Sequence, residues 1–390
     1  MTEENKSVKK FPNLRFQGFE NEWEQITLGN CAYSFEYGMN ASAIKFDGQN
    51  KYIRITDIDE SSSKYKPDFP VSPNGQLLDK YLVSENDILF ARTGASTGKS
   101  YLYHKDDGKL YFAGFLIRAK IKEEFNSYFV FIQTKTIQYY KWVQLMSMRS
   151  GQPGINSQEY ASYSFNIPSK NEQNKIASFL SLIDERILSQ KKIISQLKSQ
   201  MSNLKDLLFE QQLRFTDDKG NEFADWQENK LEDICEKQSS SISANKIEDN
   251  IGDYPIYGAT GILKNVDFYE VENDYVSIVK DGAGVGRLLY CKGKSSVLGT
   301  LDIIQSKNIN LYFIFLLLSR IDFKKYITGS TIPHIYFKDY KKEKFQIPSI
   351  EEQEKIANFF KSLDAKINLE TELLTQYENQ KKHLLQNLFI

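Results

Sequence analysis

A stripe of apolar residues, stepping alternately by three and four, runs along the chain twice. The first copy reads Ile176, Leu180, Ile183, Ile187, Ile194, Leu197, Met201, Leu204 and Leu208. The second reads Ile356, Phe360, Leu363, Ile367, Leu374, Tyr377, Leu384 and Leu388. This heptad spacing keeps one seam of a helix facing a partner helix. Neither Gly nor Pro occurs from Ser169 to Lys219 or from Ser349 onward, which favours long helices. Each run opens on a capping box, Ser169 before Glu172 and Ser349 before Glu352, with Pro168 and Pro348 just outside. Polar residues break both seams at the same place, Gln190 and Glu370, and Lys381 breaks the second again. A helix of roughly 40 residues spans about 60 Å. With one apolar stripe it needs a mate, and the other copy is the expected mate.

The duplication extends well beyond the seams. "FNIPSKNEQNKIASF" from Phe165 matches "FQIPSIEEQEKIANF" from Phe345 at an offset of 180 residues, and 17 of 45 positions are identical over 165–209 and 345–389. Upstream, Ser150, Pro153, Ile155 and Tyr160 align with Ser330, Pro333, Ile335 and Tyr340. "LRF" occurs at Leu14–Phe16 and Leu213–Phe215, and Trp23/Leu28 echo Trp226/Leu231. The strand-like "DILFAR" leads into "RTGASTGK", and "YVSIVK" leads into "KDGAGVGR". The expected order is a flexible tail over 1–13, a module over 14–168, a helix over 169–212, a second module over 213–348 and a second helix over 349–390.

Composition narrows the class. The chain has 390 residues, 41% of them hydrophobic and 26% charged, and carries a formal charge of -1. That is a globular profile, not a generic polyanion binder. Charge is nevertheless uneven: residues 91–122 hold seven Lys/Arg against two Asp, and residues 307–344 hold eight against three acids, each a net of +5. Such patches can meet phosphate. Cys31, Cys235 and Cys291 lie far apart, without metal-ligand spacing to the three histidines, and read as reduced thiols. The longest apolar run, Leu311 to Leu318, falls short of the roughly 20 residues a bilayer span needs. No signal peptide is evident, so the cytoplasm is the expected location and no membrane partner is expected.

Catalytic motifs do not emerge. "TGASTGKS" nearly imitates a phosphate-binding loop, but Thr93 stands where the first Gly belongs, and "GAGVGR" lacks the Lys-Ser ending. No methyltransferase signature or dinucleotide-binding loop is present, and Glu228-x-Lys230 after Asp225 sits in a polar stretch without a framework for a metal. The remaining chemistry is recognition. Glycine turns bring backbone N–H groups and basic side chains to a surface, and "SGQPGINSQEY" and "STIPHIYFKDY" carry a shared frame with different contents. Gln and Arg suit base edges, whereas Lys suits phosphate. The candidate DNA contacts are therefore Arg92, Lys99, Arg149, Gln152, Lys280, Arg287, His334 and Lys338. No catalytic or metal residue is assigned.

Taken with "YPIYGATGILKNVDFY" and "YIRITDI…DILFARTGASTGK…FAGFLIRAKI", these doubled motifs resemble the specificity (S) subunit of type I restriction–modification systems over nearly the whole chain. The resemblance implies an α+β chain of two tandem, pseudo-symmetric α/β target recognition domains, each followed by a long helix, the two helices forming an antiparallel coiled coil. It implies a non-catalytic subunit that reads a bipartite, asymmetric double-stranded DNA target. It further implies two methyltransferase subunits docked on the helices and two restriction/translocase subunits in the full complex. S-adenosylmethionine, ATP and Mg would belong to those partners, with no cofactor in this chain.

Overall fold

The computed structural model describes residues 11–148 and 153–390. The first head uses β1 (Glu24–Thr27), β2 (Ala32–Tyr37), β3 (Asp87–Ala91), β4 (Ser100–Leu102), β5 (Leu116–Ile121), α1 (Ser127–Gln133) and β6 (Ser164–Ile167), and then enters α2 (Lys170–Phe209). The second head uses β7 (Gln227–Lys230), β8 (Cys235–Ser239), β9 (Tyr275–Val279), β10 (Leu288–Cys291), β11 (Leu301–Ser306), α3 (Leu311–Leu318) and β12 (Lys344–Ile347), and then enters α4 (Ile350–Asn387). The main sheets have the same order, β2-β5-β3-β4 and β8-β11-β9-β10. In each head the first strand pairs antiparallel with the last, Glu24 opposite Ile167 and Gln227 opposite Ile347.

The central strands explain how each head holds two layers. β3 is buried throughout. Side chains alternate across a strand, so Ile88 and Phe90 face the core beneath α1, while Leu89 and Ala91 face a second core with Leu110 and Phe112. β9 repeats this, with Val276 and Ile278 toward α3 and Tyr275 and Val279 toward the outer core. The outer layers differ. The first head carries two two-stranded ladders, Ser42–Lys45 with Val71–Asn74 and Lys51–Ile53 with Leu110–Phe112. The second folds Tyr254–Gly258, Gly261–Val266 and Ser296–Val297 into one three-stranded sheet.

Two compact units result, each a head with the start of its following helix and part of the other long helix. One comprises residues 1–190 with 373–390, and the other residues 191–372. In the first unit, Ile176, Leu180 and Ile183 of α2 share a core with Trp23, Phe129 and the C-terminal Leu388 and Phe389. Asp184 pairs with Lys381 at 2.5 Å, and the Arg186 guanidinium donates to the Tyr377 hydroxyl at 3.4 Å. Position rises in α2 as it falls in α4, so the helices run antiparallel there. In the second unit, Ile356 and Phe360 of α4 share a core with Leu208, Trp226 and Phe313. Ile194 and Ile367 are buried, while Ile187, Leu197, Leu363, Leu374 and Tyr377 are half-buried. The seam residues at each helix start therefore face a head as well as the other helix.

Gln190, the polar residue of the seam, is buried, and two details depart from the expectation. Helix α2 ends at Phe209 although the run free of Gly and Pro continues. Gln211 takes a positive φ of 56°, and the Gln211 and Gln212 N–H groups donate to the Leu208 and Leu207 carbonyls, a Schellman closure made without glycine. Finally, only half of the second capping box forms: Ser349 Oγ accepts the Glu352 N–H at 3.4 Å.

The carboxylates of both boxes turn inward instead. Glu172 receives the Arg15 guanidinium at 2.8 Å and the Trp23 indole N–H at 3.4 Å. Glu352 receives Arg214 at 2.8 Å and Trp226 at 3.0 Å. The neighbouring glutamines match too. Gln173 accepts the Asn126 N–H at 3.0 Å and donates to the Pro168 carbonyl at 2.9 Å, as Gln353 does with Asn310 and Pro348 at 2.9 and 2.8 Å. The repeated "LRF", Trp and "EQ" letters are thus one duplicated clasp joining each head to the start of its following helix.

Candidate nucleic-acid interface

The glycine loop of each head is a tight turn locked onto the Pro-containing loop. Gly94 and Gly98 have φ of 68° and 88°, and Gly282 and Gly286 have 91° and 85°, values that favour glycine. The Gly94 N–H donates to the Pro153 carbonyl at 3.0 Å, and the Ile155 N–H to the Arg92 carbonyl at 2.9 Å. In the second head the Gly282 N–H donates to Pro333 and the Ile335 N–H to Lys280, both at 2.9 Å. The two loops singled out in the sequence are therefore neighbours in each unit. A phosphate-binding loop leads into a helix; this one leads into strand β4, where the Ser100 hydroxyl is buried against Thr134 and Lys135 at 2.6 and 2.7 Å.

A cleft opens beside the loop in each unit. The first, of about 650 Å³, is lined by Tyr37, Asn40, Arg54, Thr56, Arg92 and Phe115 among others. The Arg92 guanidinium lies 4.9 Å from the centre of the Tyr37 ring. The Tyr37 hydroxyl accepts the Ser157 N–H, and that bond together with nearby Arg92 holds its phenol below the usual range. Phe115 is 60% exposed, and its carbonyl accepts the Arg92 N–H at 3.0 Å. The second cleft, of about 760 Å³, is lined by Lys237, Lys280, Asp302, Lys307, Tyr336 and Lys338 among others. Asp302 is buried there and takes Lys280 at 3.2 Å, Lys237 at 3.8 Å and the Ser239 hydroxyl at 2.8 Å.

The proposed contacts divide accordingly. Arg92 lines the first cleft, and Lys280 and Lys338 line the second. His334 bridges back to Asp281 and packs edge-on against Tyr336, whose ring also carries Lys338 at 5.0 Å. Lys99 and Arg287 do not line the clefts. Lys99 reaches Glu60 at 3.3 Å, and Arg287 donates to the Ala259 carbonyl at 2.7 Å. Arg149 and Gln152 lie outside the described residues. Sequence reading overlooked Tyr37, Arg54 and Phe115 in one unit and Lys237, Asp302 and Lys307 in the other. The exposed aromatic after "AG" in "FAGF" was the available signal for Phe115; Asp302 carried none, being one acid inside an apolar strand.

The family model for the type I restriction modification DNA specificity domain matches residues 20–199 and again 224–379. The chain belongs to the type I restriction–modification specificity (S) subunit family. Among similar proteins, the type I restriction enzyme MjaVIII specificity subunit of Methanocaldococcus jannaschii is 26% identical, over 93% of this chain and 91% of that one. S.MpnORF285P, a Mycoplasma pneumoniae protein named as a type I specificity subunit, is 27% identical over 40% of this chain, a match spanning 53% of its own length. In fold, the S subunit crystal structure from M. genitalium aligns with a TM-score of 0.68 at 18% identity, covering 97% of this chain and 99% of that one. The S subunit's tandem α/β layout is shared with that structure. Among the described residues, no helix is long and apolar enough to cross a membrane.

Proposed function

We propose that this S subunit is the non-catalytic reading component of a type I complex in the cytoplasm. Each head takes one half of a bipartite, asymmetric double-stranded DNA target. The observation that supports this is the pair of clefts: in each unit one opens at the basic first residue of the glycine loop, Arg92 or Lys280, and the rest of its lining comes from different segments. A shared frame with unlike contents suits two unlike half-sites. Leu182, Leu188 and Leu369 remain exposed on the long helices at 60%, 51% and 65%. The long helices would dock two methyltransferase subunits and, through them, two restriction/translocase subunits, as the family resemblance implies. Those partners would bring S-adenosylmethionine, ATP and Mg.

Adenine methylation mapped genome-wide, in cells expressing the chain with its cognate methyltransferase, tests the reading. The expected result is one two-part motif, and replacing residues 14–168 by another head should change one part only. Methylation without a shared motif would overturn the reading, as would turnover of S-adenosylmethionine on DNA by the purified chain alone.

A further inference from the structure

The first residue of each glycine loop is basic, Arg92 or Lys280, and the strands place it at the same point. Ala91 pairs with Leu116, and Val279 with Leu301. On the other side of the middle strand, Tyr37 pairs with Ile117, and Ser239 with Asp302. Tyr37 and Ser239 are thus topological equivalents, as are Ile117 and Asp302. Each head meets the same need, holding a long cation over the sheet end, with different chemistry. The first lays the guanidinium against an aromatic face at 4.9 Å. The second ties the ammonium to a buried carboxylate at 3.2 Å, which the Ser239 hydroxyl helps orient at 2.8 Å.

We propose that Tyr37 and Asp302 are positioning residues that aim Arg92 and Lys280 at DNA, each governing recognition at one half-site only. The inference rests on the DNA-reading function above. A free Lys or Arg loses side-chain freedom on binding, and a pre-held one loses less. The two holders also divide the tasks. Stacking leaves all guanidinium N–H donors available, and a planar fork matches the paired acceptors of a guanine edge. The Asp302 carboxylate offsets the charge of Lys280 and Lys237 and repels phosphate. It thereby disfavours backbone contact away from the target and keeps the ammonium for acceptors in the groove.

The test maps methylation motifs for Tyr37→Leu, Tyr37→Phe and Asp302→Asn, each coexpressed with the cognate methyltransferase, and measures the complex's affinity for a random duplex against salt. Tyr37→Leu should lower discrimination by roughly tenfold at one base pair of one half-site, with Tyr37→Phe restoring it and the other half-site unchanged. Asp302→Asn should relax the other half-site, and it should also tighten random-duplex binding and steepen its salt dependence. An intact motif with only lower total methylation for Tyr37→Leu and Asp302→Asn would show a structural role and overturn the proposal. Arg92→Gln and Lys280→Gln guard against misfolding of the first set: if both leave the motif unaltered, the proposal falls whatever the holders do. If the wild-type chain directs no motif, the broader function fails; if its motif is two-part but indifferent to all five variants, only this inference fails.

Discussion

Glu172 and Glu352 are acids with almost no exposure, each facing one arginine and one indole. Removing one partner of a buried ion pair leaves the other uncompensated, at a cost of roughly 3–5 kcal/mol. Glu352→Ala should therefore destabilise the second unit, by less than that amount, since the Trp226 indole loses its acceptor while Arg214, part-exposed, keeps the Phe223 and Ala224 carbonyls. Hydrogen exchange at the start of α4 should rise by the corresponding factor, with little change at the start of α2. Cys31, Cys235 and Cys291 make a second residue-level prediction. Burial pushes each thiol up to about 12, so almost no thiolate exists at pH 8. Mass spectrometry after iodoacetamide should find the native chain unlabelled at all three and the urea-unfolded chain labelled at all three. The letters of these sites were legible in the sequence, but their roles were not. Ser-x-x-Glu follows the capping-box pattern, and only the folded position of Arg15 and Arg214 shows where the acid points.

At the scale of elements, long periodic signals were readable and short irregular ones were not. The two long helices follow from their stripes, and β3 and β9 from short apolar runs. The end of α2 was hidden because Gln211, not glycine, supplies the left-handed residue. The outer ladders were hidden because strands of three or four residues carry too little alternation to stand out from loops. The glycine loop was visible as a repeat, and its packing adds a prediction. A Cβ on Gly98 would lie 2.5 Å from Val143 Cγ1, whereas one on Gly18 meets nothing within 4 Å, although φ is 88° and 89° at the two positions. Both alanine variants carry backbone strain of order 1–3 kcal/mol, and Gly98→Ala adds the collision with Val143. Thermal melting should show Gly98→Ala as the less stable of the two; equal melting points would mean that Val143 yields freely.

For the whole molecule, the duplication was plain in the sequence, while the division into units was not, because it depends on which helix segments touch which core. The proposed DNA reading adds an expectation for the long helices. Inserting a heptad at matching points of both should change the spacer between half-sites and leave the half-sites themselves unaltered, as read by methylome mapping. Altered half-sites with a constant spacer would mean that the helices do not set the distance.

The core that holds Trp23 also holds Leu388 and Phe389. Trp23 and Phe129 are made hundreds of residues before the ring that packs on both. During translation, at roughly 5–20 residues per second, the domain synthesised first must wait tens of seconds with a gap in its interior. It closes only after its younger sibling has been made. A nascent chain stalled before residue 388 should thus carry a protease-sensitive first head, and a frameshift that removes Leu388 and Phe389 would injure the core around Trp23.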